Sequence, residues 1–372
     1  ALLKNGAEVN AQDIDGRTAL LYAVKNEYDY WSDKEDAETL SIIVGNLLKH
    51  GANISAKDGE GSTAMGYTVA ENIENIEYES DDSKQTPPLV NTLIENGADV
   101  NTKDAWNRTF LMVAAKKGKL AFLSNLLKNG ADINAEDKDE KTVLMYAAEG
   151  GNKAVIDALL KNGAAADINA QDVHGYTALI YAADAGSLEA VTALLKNGAE
   201  ANAQDEDGWT VLMHGIDMGN LSVVTALLEN GAEVNAKNEE GKTPLMIAAG
   251  KTSTDIIAAL LEKGENVNDK DMFGNTALMM TAVGPEEDDM FAAEEDVEKL
   301  ETLAAIDVLL KNGAIINAEN NKGMSPLMLV AKKGNRRVVD VLLENGAEIN
   351  AQNKDGKTSL MFAADKGDKA ID

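Results

Sequence analysis

The chain contains no cysteine among its 372 residues. Disulfide bonds, thiol nucleophiles and thiolate metal sites are therefore excluded. Histidine is also scarce, because His50, His174 and His214 are the only three, and no serine motif accompanies them. This inventory supports neither a catalytic triad nor a metal cluster, and no glycine-rich phosphate loop is present. We expect no enzymatic activity, no catalytic residue, no cofactor and no metal site.

Positive charge is scarce relative to negative charge. Lys and Arg number 34 against 63 Asp and Glu, so the formal net charge is −29. This charge repels phosphate backbones and anionic lipid surfaces, and we expect neither nucleic acid nor a membrane as a partner. No apolar run approaches the roughly 18 residues that a membrane-spanning helix needs. We expect a monomer, and the sequence leaves its compartment open.

What the sequence does contain is a repeat. The string LLKNGADINAEDKDEKTVL at 126–144 recurs in variants along the whole chain. A Thr or Ser closes each variant, at Thr18, Thr63, Thr109, Thr142, Thr177, Thr210, Thr243, Thr276, Ser325 and Thr358. The successive gaps are 45, 46, 33, 35, 33, 33, 33, 49 and 33 residues, a period of 33 with four additions. Such a period is typical of stacked units that bury their apolar faces only against one another.

The repeat that begins at Asp205 illustrates the expected unit. Residues 205–208 have turn chemistry, and Thr210 is a candidate N-cap for a short helix that ends near Gly219. A second helix follows and ends at Gly231. Its spacing predicts one buried stripe that contains Leu221, Val224, Leu227 and Leu228. The predicted unit is turn, helix, turn, helix and extended arm.

This unit resembles the ankyrin repeat. The family pattern has a turn ending in Gly, then Thr-Pro-Leu-His, an Ala pair, a Leu-rich second helix and Gly-Ala-Asp-Val-Asn. The first helix is matched at Thr243, Pro244, Leu245, Ala248 and Ala249, and the tail at 130–134. The resemblance covers essentially the whole chain. It implies an all-α, curved and elongated ankyrin solenoid with projecting β-hairpin loops and a role in protein–protein interaction.

The chain departs from the family pattern at two positions of the repeat. The family His is replaced at Met112, Met145, Ile180, Met213 and Met361, so we expect apolar packing in place of its hydrogen bonds. The turn Gly is replaced by Asn107 and by Glu140. Asn tolerates the left-handed region, whereas Glu140 is expected to be strained or to adopt another turn.

We expect a single ankyrin-repeat domain over residues 1–372. Its parts are a partial repeat 1–12, then repeats 13–57, 58–103, 104–136, 137–171, 172–204, 205–237, 238–270, 271–319 and 320–352, and a partial repeat 353–372. The first and last parts are incomplete, so both ends of the chain look cut.

Three additions share one position in the repeat, between its two helices. They lie at about 27–39, 71–85 and 285–302 and contain 6, 6 and 9 acids against one Lys each, more than half of the net charge. The first and third are predicted to lengthen the second helix. In the middle one, Pro87 and Pro88 favour a helix start after a loop. The acids form either solvated loops or a docking fringe for a basic partner.

Large side chains at the turns and in the first helices predict a partner-binding surface. The resemblance places binding at the hairpin tips and at the exposed face of the first helices. The candidate residues are Trp106, Tyr146, His174, Tyr176, Tyr181, Trp209, His214, Met272 and Phe273. Interfaces are enriched in such aromatics. Their edges carry Glu149, Asp184 and Asp217, which favours a Lys- or Arg-bearing protein or peptide.

Two alternatives remain open at this stage. The residues four positions after each repeat's Thr are consistently large, so they could serve packing between repeats rather than binding. The whole chain could also be a structural spacer in a larger multidomain protein, including one whose catalytic domain lies elsewhere.

Overall fold

The computed structural model describes residues 1–25, 34–75, 87–284 and 295–366. Short 3₁₀ turns at Leu3–Asn5 and Ala164–Asp167 accompany the α-helices of these ranges. The helices are α1 (Ala19–Lys25), α2 (Lys34–Lys49), α3 (Ala64–Asn75), α4 (Pro88–Glu95), α5 (Phe110–Lys116), α6 (Leu120–Lys128), α7 (Val143–Glu149), α8 (Lys153–Lys161), α9 (Ala178–Asp184), α10 (Leu188–Lys196), α11 (Val211–Asp217), α12 (Leu221–Glu229), α13 (Pro244–Gly250), α14 (Thr254–Glu262), α15 (Ala277–Val283), α16 (Glu295–Lys311), α17 (Pro326–Lys333), α18 (Arg336–Glu344) and α19 (Ser359–Lys366).

The repeated Thr or Ser starts the first helix of each repeat. The Thr210 hydroxyl accepts a hydrogen bond from the Met213 N–H at 3.3 Å, which confirms its predicted role as an N-cap. The same contact occurs in nine of the ten repeats. Thr276 is the exception, because its side chain makes no capping hydrogen bond. The cap satisfies one of the free N–H groups at a helix start.

Methionine in place of the family His keeps a weak hydrogen bond in two repeats. The Met112 sulfur accepts from the Thr109 N–H at 3.4 Å, and the Met145 sulfur accepts from the Thr142 N–H at 3.3 Å. The expectation that apolar packing alone replaces the His was therefore incomplete. A thioether is a weak acceptor, but it completes a reciprocal cap at these helix starts.

The predicted stripe of α12 is correct except at its first residue. Val224, Leu227 and Leu228 are buried, together with Val223. Leu221 is 38% exposed instead. Helical side chains point toward the N-terminus of the helix, so the first residue of α12 projects past the surface that the later turns cover.

The insertions change helix lengths in two ways. α2 and α16 have 16 and 17 residues, whereas α12 has nine, so the predicted lengthening of the second helix is confirmed. α4 starts at Pro88 with Pro87 as its N-cap, also as predicted. The loop predicted before Pro87 does not reach back to the start of this insertion, because α3 continues to Asn75. The remaining insertion residues, 27–33, 76–85 and 285–294, lie outside the described residues.

The chain divides into two compact units. One contains Ala1–Ala182 and Lys196–Ala199, and the other contains Ala183–Leu195 and Glu200–Asp372. Within the first, α5 contacts α6 of its own repeat and α7 of the next. Within the second, α13 contacts α14 and α15 in the same way. Paired alanines such as Ala248 and Ala249 are fully buried there, which allows these helices to approach closely.

The arms between repeats are joined through asparagine side chains. Asn101 accepts a hydrogen bond from the Asp132 N–H at 2.7 Å and donates to the Gly130 carbonyl at 3.1 Å. Asn202 does the same with Glu233 and Gly231 in the second unit. The last residue of the Gly-Ala-Asp-Val-Asn tail therefore fixes the next repeat. In the described ranges the loops form isolated β-bridges, Glu136 with Thr142 and Gln204 with Thr210, rather than strands.

The turn position that usually holds Gly requires a positive φ. Gly241 has φ +74, and a Cβ there would lie 3.0 Å from the Met272 backbone nitrogen. Asn107 and Glu140 occupy this position with φ of 62 and 61. Glu140 therefore adopts the left-handed conformation rather than another turn, which costs roughly 1 kcal/mol or more. Thr252 is a third non-glycine residue with positive φ, which the sequence did not indicate.

Glu265 stands where most repeats have the Ala of Gly-Ala. Its side chain is buried, and one carboxylate oxygen accepts a hydrogen bond from the Leu245 N–H at 2.8 Å. The other oxygen is buried with no hydrogen-bond partner among the described residues. Burial outweighs the hydrogen bonds from Thr243 and Leu245 and raises the pKa of Glu265 to about 8. The folded state therefore favours the protonated carboxyl.

We predict that Glu265→Gln flattens the pH dependence of stability. Because the folded pKa lies above the ordinary Glu value, the stabilisation is complete in acid and is lost as pH rises. The loss is about 1.4 kcal/mol per pH unit between about pH 5 and 8. Urea titrations followed by circular dichroism should show the wild-type midpoint falling over this range, with the Gln variant more stable above pH 8. Exposed Glu262→Gln is the control, and equal pH profiles for Glu265→Gln and wild type would contradict the prediction.

Candidate binding surface

Each repeat is organised by one Asp or Asn at its turn. One side-chain oxygen of this residue accepts hydrogen bonds from the N–H groups two and four residues later, at 2.7 to 3.1 Å in all ten repeats. The turn residues are Asp13, Asp58, Asp104, Asp137, Asp172, Asp205, Asn238, Asp271, Asn320 and Asn353. The turn is thus closed without any contribution from the intervening side chains.

The second carboxylate oxygen of a turn Asp binds the side chain nine residues later. Tyr146 donates its hydroxyl to Asp137 at 2.7 Å, and Tyr181 donates to Asp172 at 2.6 Å. Tyr22 and Tyr67 bind Asp13 and Asp58 in the same way, and His214 binds Asp205. Burial and the bond to Asp137 raise the pKa of Tyr146 above its usual value, and Tyr181 is affected likewise. Both hydroxyls therefore remain donors.

In the remaining repeats, too, the second side-chain oxygen of a turn Asp accepts a hydrogen bond from a nearby side chain. Nine residues after Asp104 and Asp271 stand Val113 and Met280, which have no hydrogen-bond donor. The donor is instead the side chain four residues after the turn Asp. Arg108 Nε donates to Asp104 at 2.8 Å, and Asn275 Nδ2 donates to Asp271 at 3.1 Å. Where the turn residue is Asn, the position nine residues on is apolar, as Ile247, Leu329 and Phe362. An amide has no second carboxylate oxygen that requires a donor.

Tyr146 and Tyr181 flank Lys141 at a groove in the first unit. The Lys141 ammonium lies 4.8 Å from the Tyr146 ring centroid and 3.7 Å from that of Tyr181. The groove has a volume of about 530 Å³. We call it the Lys141 groove, and its lining residues are Arg108, Met112, Val113, Lys116, Lys117, Asp137, Asp139, Lys141, Tyr146, Glu149, Asp172, His174 and Tyr181.

Glu149 is neutralised inside this groove. It binds the Lys116 ammonium at 2.6 Å and the Lys141 ammonium at 2.7 Å. Burial opposes its ionisation, but the two lysines outweigh burial and hold the pKa of Glu149 below its usual value. Asp184 and Asp217, the other acids that suggested a basic partner, bind His214 at 2.9 Å and Lys251 at 2.9 Å in the second unit.

His214 is held inside the second unit. It is 7% exposed, and its Nδ1 and Nε2 lie 2.9 Å from Asp184 and 3.0 Å from Asp205. Burial opposes its protonation, but the two carboxylates outweigh burial and raise the pKa of His214. The Trp209 ring lies 5.6 Å from the imidazole. His214 is therefore buried beneath the candidate surface, where it binds Asp184 and Asp205.

The tip residues are the most exposed members of the predicted surface. Trp106 in the first unit is 59% exposed, and its ring lies 4.9 Å from the Arg108 guanidinium. Met272 and Phe273 in the second unit are 59% and 55% exposed. His174 is also exposed, whereas Tyr176 and Trp209 are half-buried.

The structure thus separates the nine candidates by role. Tyr146 and Tyr181 lie together at the Lys141 groove, with His174 on its lining. Lys141 and Arg108 were missed by sequence reasoning. Both stand four residues after a turn Asp. The nine-residue spacing from Asp137 to Tyr146 is visible in the sequence, and it could have drawn attention to the side chains around each turn Asp.

Comparisons with known proteins agree with this architecture. Sequence models of ankyrin repeats match residues 1–40, 82–172, 164–238, 227–280 and 309–366. The chain belongs to the ankyrin-repeat family. The crystal structure of the human ASB11 ankyrin repeat domain is similar to it, with 28% identity and a TM-score of 0.56, over 65% of this chain and 99% of that domain. A search of curated proteins gave no match.

Ankyrin repeats are generally protein-interaction modules, and they are typically non-enzymatic scaffolds. Among the residues that the structure describes, no three His, Asp or Glu side chains are grouped so as to hold a metal ion. No helix within the same ranges is both long and apolar enough to cross a membrane.

We predict an energetic coupling between Asp137 and Tyr146. Tyr146→Phe leaves a carboxylate oxygen without its donor and should cost about 1–2 kcal/mol of unfolding free energy. The same substitution should cost clearly less in an Asp137→Asn background, because the amide no longer needs that donor. A double-mutant cycle by urea unfolding measures the difference.

The control for this cycle replaces Asp137→Asn by Asp139→Asn. Asp139 lies in the same turn but does not bind Tyr146, so its effect should be additive with Tyr146→Phe. Equal costs of Tyr146→Phe in all three backgrounds would contradict the coupling.

We also predict a pH-dependent contribution from His214. Its pKa is raised on folding, so its stabilisation is complete below about pH 6.5 and is lost as pH rises through the folded pKa. His214→Tyr keeps a donor to Asp205 but carries no charge. The free energy of unfolding of wild type should exceed that of this variant by on the order of 1 kcal/mol near pH 6. The difference should be smaller near pH 9. Exposed His174→Tyr is the control, and a pH-independent difference between wild type and His214→Tyr would refute the prediction.

Proposed function

We propose that this ankyrin-repeat chain is a recognition scaffold that binds a partner protein or peptide through its hairpin tips and the adjacent first helices. The exposed apolar tips are the observation that carries the proposal. Trp106 supplies its backbone N–H to the turn, but its side chain closes no turn and fills no core. Large exposed apolar side chains of this kind are enriched at interface hot spots.

The tips are also rigid enough to present such side chains. The Trp106 carbonyl accepts a hydrogen bond from the Lys138 N–H of the next turn at 3.0 Å, and Arg108 stacks on the Trp106 ring. In the second unit the Phe273 carbonyl accepts from the Asn321 N–H at 2.9 Å. A side chain held in place before binding loses less conformational entropy on association.

A matched pair of variants tests the proposal. The intact chain, Trp106→Ala and Ile42→Ala serve as baits for affinity capture followed by mass spectrometry. Ile42 is an exposed apolar residue on α2, away from the tips. Proteins captured by wild type should be lost with Trp106→Ala, at least tenfold in recovery, and retained with Ile42→Ala.

Thermal unfolding of the three baits provides the stability control. Equal midpoints assign a loss of capture to the surface rather than to folding. Retention of every captured protein by Trp106→Ala, at the level seen with Ile42→Ala, would count against the scaffold and favour a structural spacer, which needs no exposed aromatic tip.

A further inference from the structure

The Lys141 groove already contains a cation. Two aromatic rings and a carboxylate attract an ammonium group electrostatically and would suit a bound lysine side chain. Here Tyr146, Tyr181 and Glu149 provide that environment, and Lys141 of the same chain occupies it. The Lys141 side chain is only 12% exposed. A lysine of a partner therefore finds this position filled.

The acids of the groove are mostly satisfied within the chain. Asp137 and Asp172 each accept two backbone N–H groups and one tyrosine hydroxyl. Glu149 accepts from two lysines. Asp139 is the exposed acid of the lining and takes no part in an ion pair within the described residues. The negative charge that a basic partner would need is thus largely neutralised.

The accessible cations of the groove lie on and beside α5. Lys117 is exposed and forms no ion pair with any residue that the structure describes. The Lys116 side chain is 46% exposed, and it can turn from Glu149 to another carboxylate while Glu149 keeps Lys141. Arg108 binds Asp104 through Nε, and a guanidinium has four further N–H donors. Trp106 lies against this guanidinium and adds apolar surface.

We infer, on the basis of the proposed function, that the Lys141 groove selects a peptide segment that carries an acidic side chain next to an apolar one. The carboxylate binds between Lys116, Lys117 and Arg108, and the apolar side chain contacts Trp106. A volume of about 530 Å³ is enough for the acidic side chain, and Trp106 borders the groove through its contact with Arg108. The sign of the partner's charge is opposite to the one that the acidic composition suggested.

The net charge of −29 does not prevent this contact. Charges separated by more than about 8 Å are largely screened at physiological ionic strength, whereas the lysines bind at contact distance. The overall field slows the approach of an acidic segment and adds salt dependence, but the local pairs decide which segment stays bound.

The test pans a displayed library of random 12-residue peptides against the intact chain and sequences the enriched clones. Acidic residues adjacent to an apolar residue should be enriched. Synthetic copies of the enriched peptides are then titrated by fluorescence polarisation against wild type, Lys117→Glu, Lys128→Glu and Trp106→Ala. Lys128 is the matched control, because it is an exposed lysine at the end of α6 and its replacement changes the net charge equally.

Lys117→Glu should weaken the acidic peptides roughly five- to tenfold, whereas Lys128→Glu should change affinity less than twofold. Replacing the peptide's acids by Asn or Gln should remove the difference between the two variants. Enrichment of Lys- or Arg-rich peptides that still require Trp106, or an equal effect of both lysine variants, would overturn the acidic selectivity while leaving the scaffold intact. The absence of any enriched peptide would overturn the inferred peptide selectivity, whereas peptide binding that Trp106→Ala leaves unchanged would overturn the proposed function, in which the exposed tips make the contact.

Discussion

The structure depends on a turn closed by one side-chain oxygen. In every repeat an Asp or Asn accepts two backbone N–H groups from the residues that follow it, and this contact sets where the first helix begins. Without it, two N–H groups of a tight loop would lack partners, and the Thr or Ser cap would not be aligned with its helix. The side chains within the turn are free to differ because none of them closes it. Trp106, Phe273 and an ordinary Asp139 can therefore occupy equivalent loops without altering the repeat.

The same residue also determines the surface beside the turn. A carboxylate has a second oxygen that requires a donor, so an Asp turn is followed by Tyr or His nine residues on, or by a donor four residues on. An Asn turn is followed by an apolar residue. Where consecutive Asp turns place Tyr146 and Tyr181 in neighbouring repeats, a cation fits between their rings, and Lys141 occupies that place. The Lys141 groove is thus a local consequence of turn chemistry repeated twice.

Sequence periodicity predicted the local features well. The N-cap at Thr210, the long α2 and α16 and the start of α4 at Pro88 follow from capping residues, spacing and proline stereochemistry, all of which act within a few residues. The exposure of Leu221 and the extension of α3 to Asn75 were not predicted. Both depend on what covers a helix end, which the neighbouring turns do not specify.

The candidate surface was predicted less completely, and its charges show why. Glu149, Asp184 and Asp217 are acids in the sequence, but Lys116, His214 and Lys251 neutralise them from 30 or more residues away. The nine-residue spacing between Asp137 and Tyr146 was visible in the sequence, whereas its meaning required the geometry of the turn.

The sequence by itself determined the repeat, the family and the position of every turn, because those features rest on hydrogen bonds between residues close in the chain. The tertiary structure alone decided which large side chains remain accessible and which charges remain unpaired. Tyr22 is 43% exposed and His214 is 7% exposed, although both stand nine residues after a turn Asp. Burial and ion pairing arise between repeats, where side chains about one period apart come into contact, and no local pattern encodes that outcome.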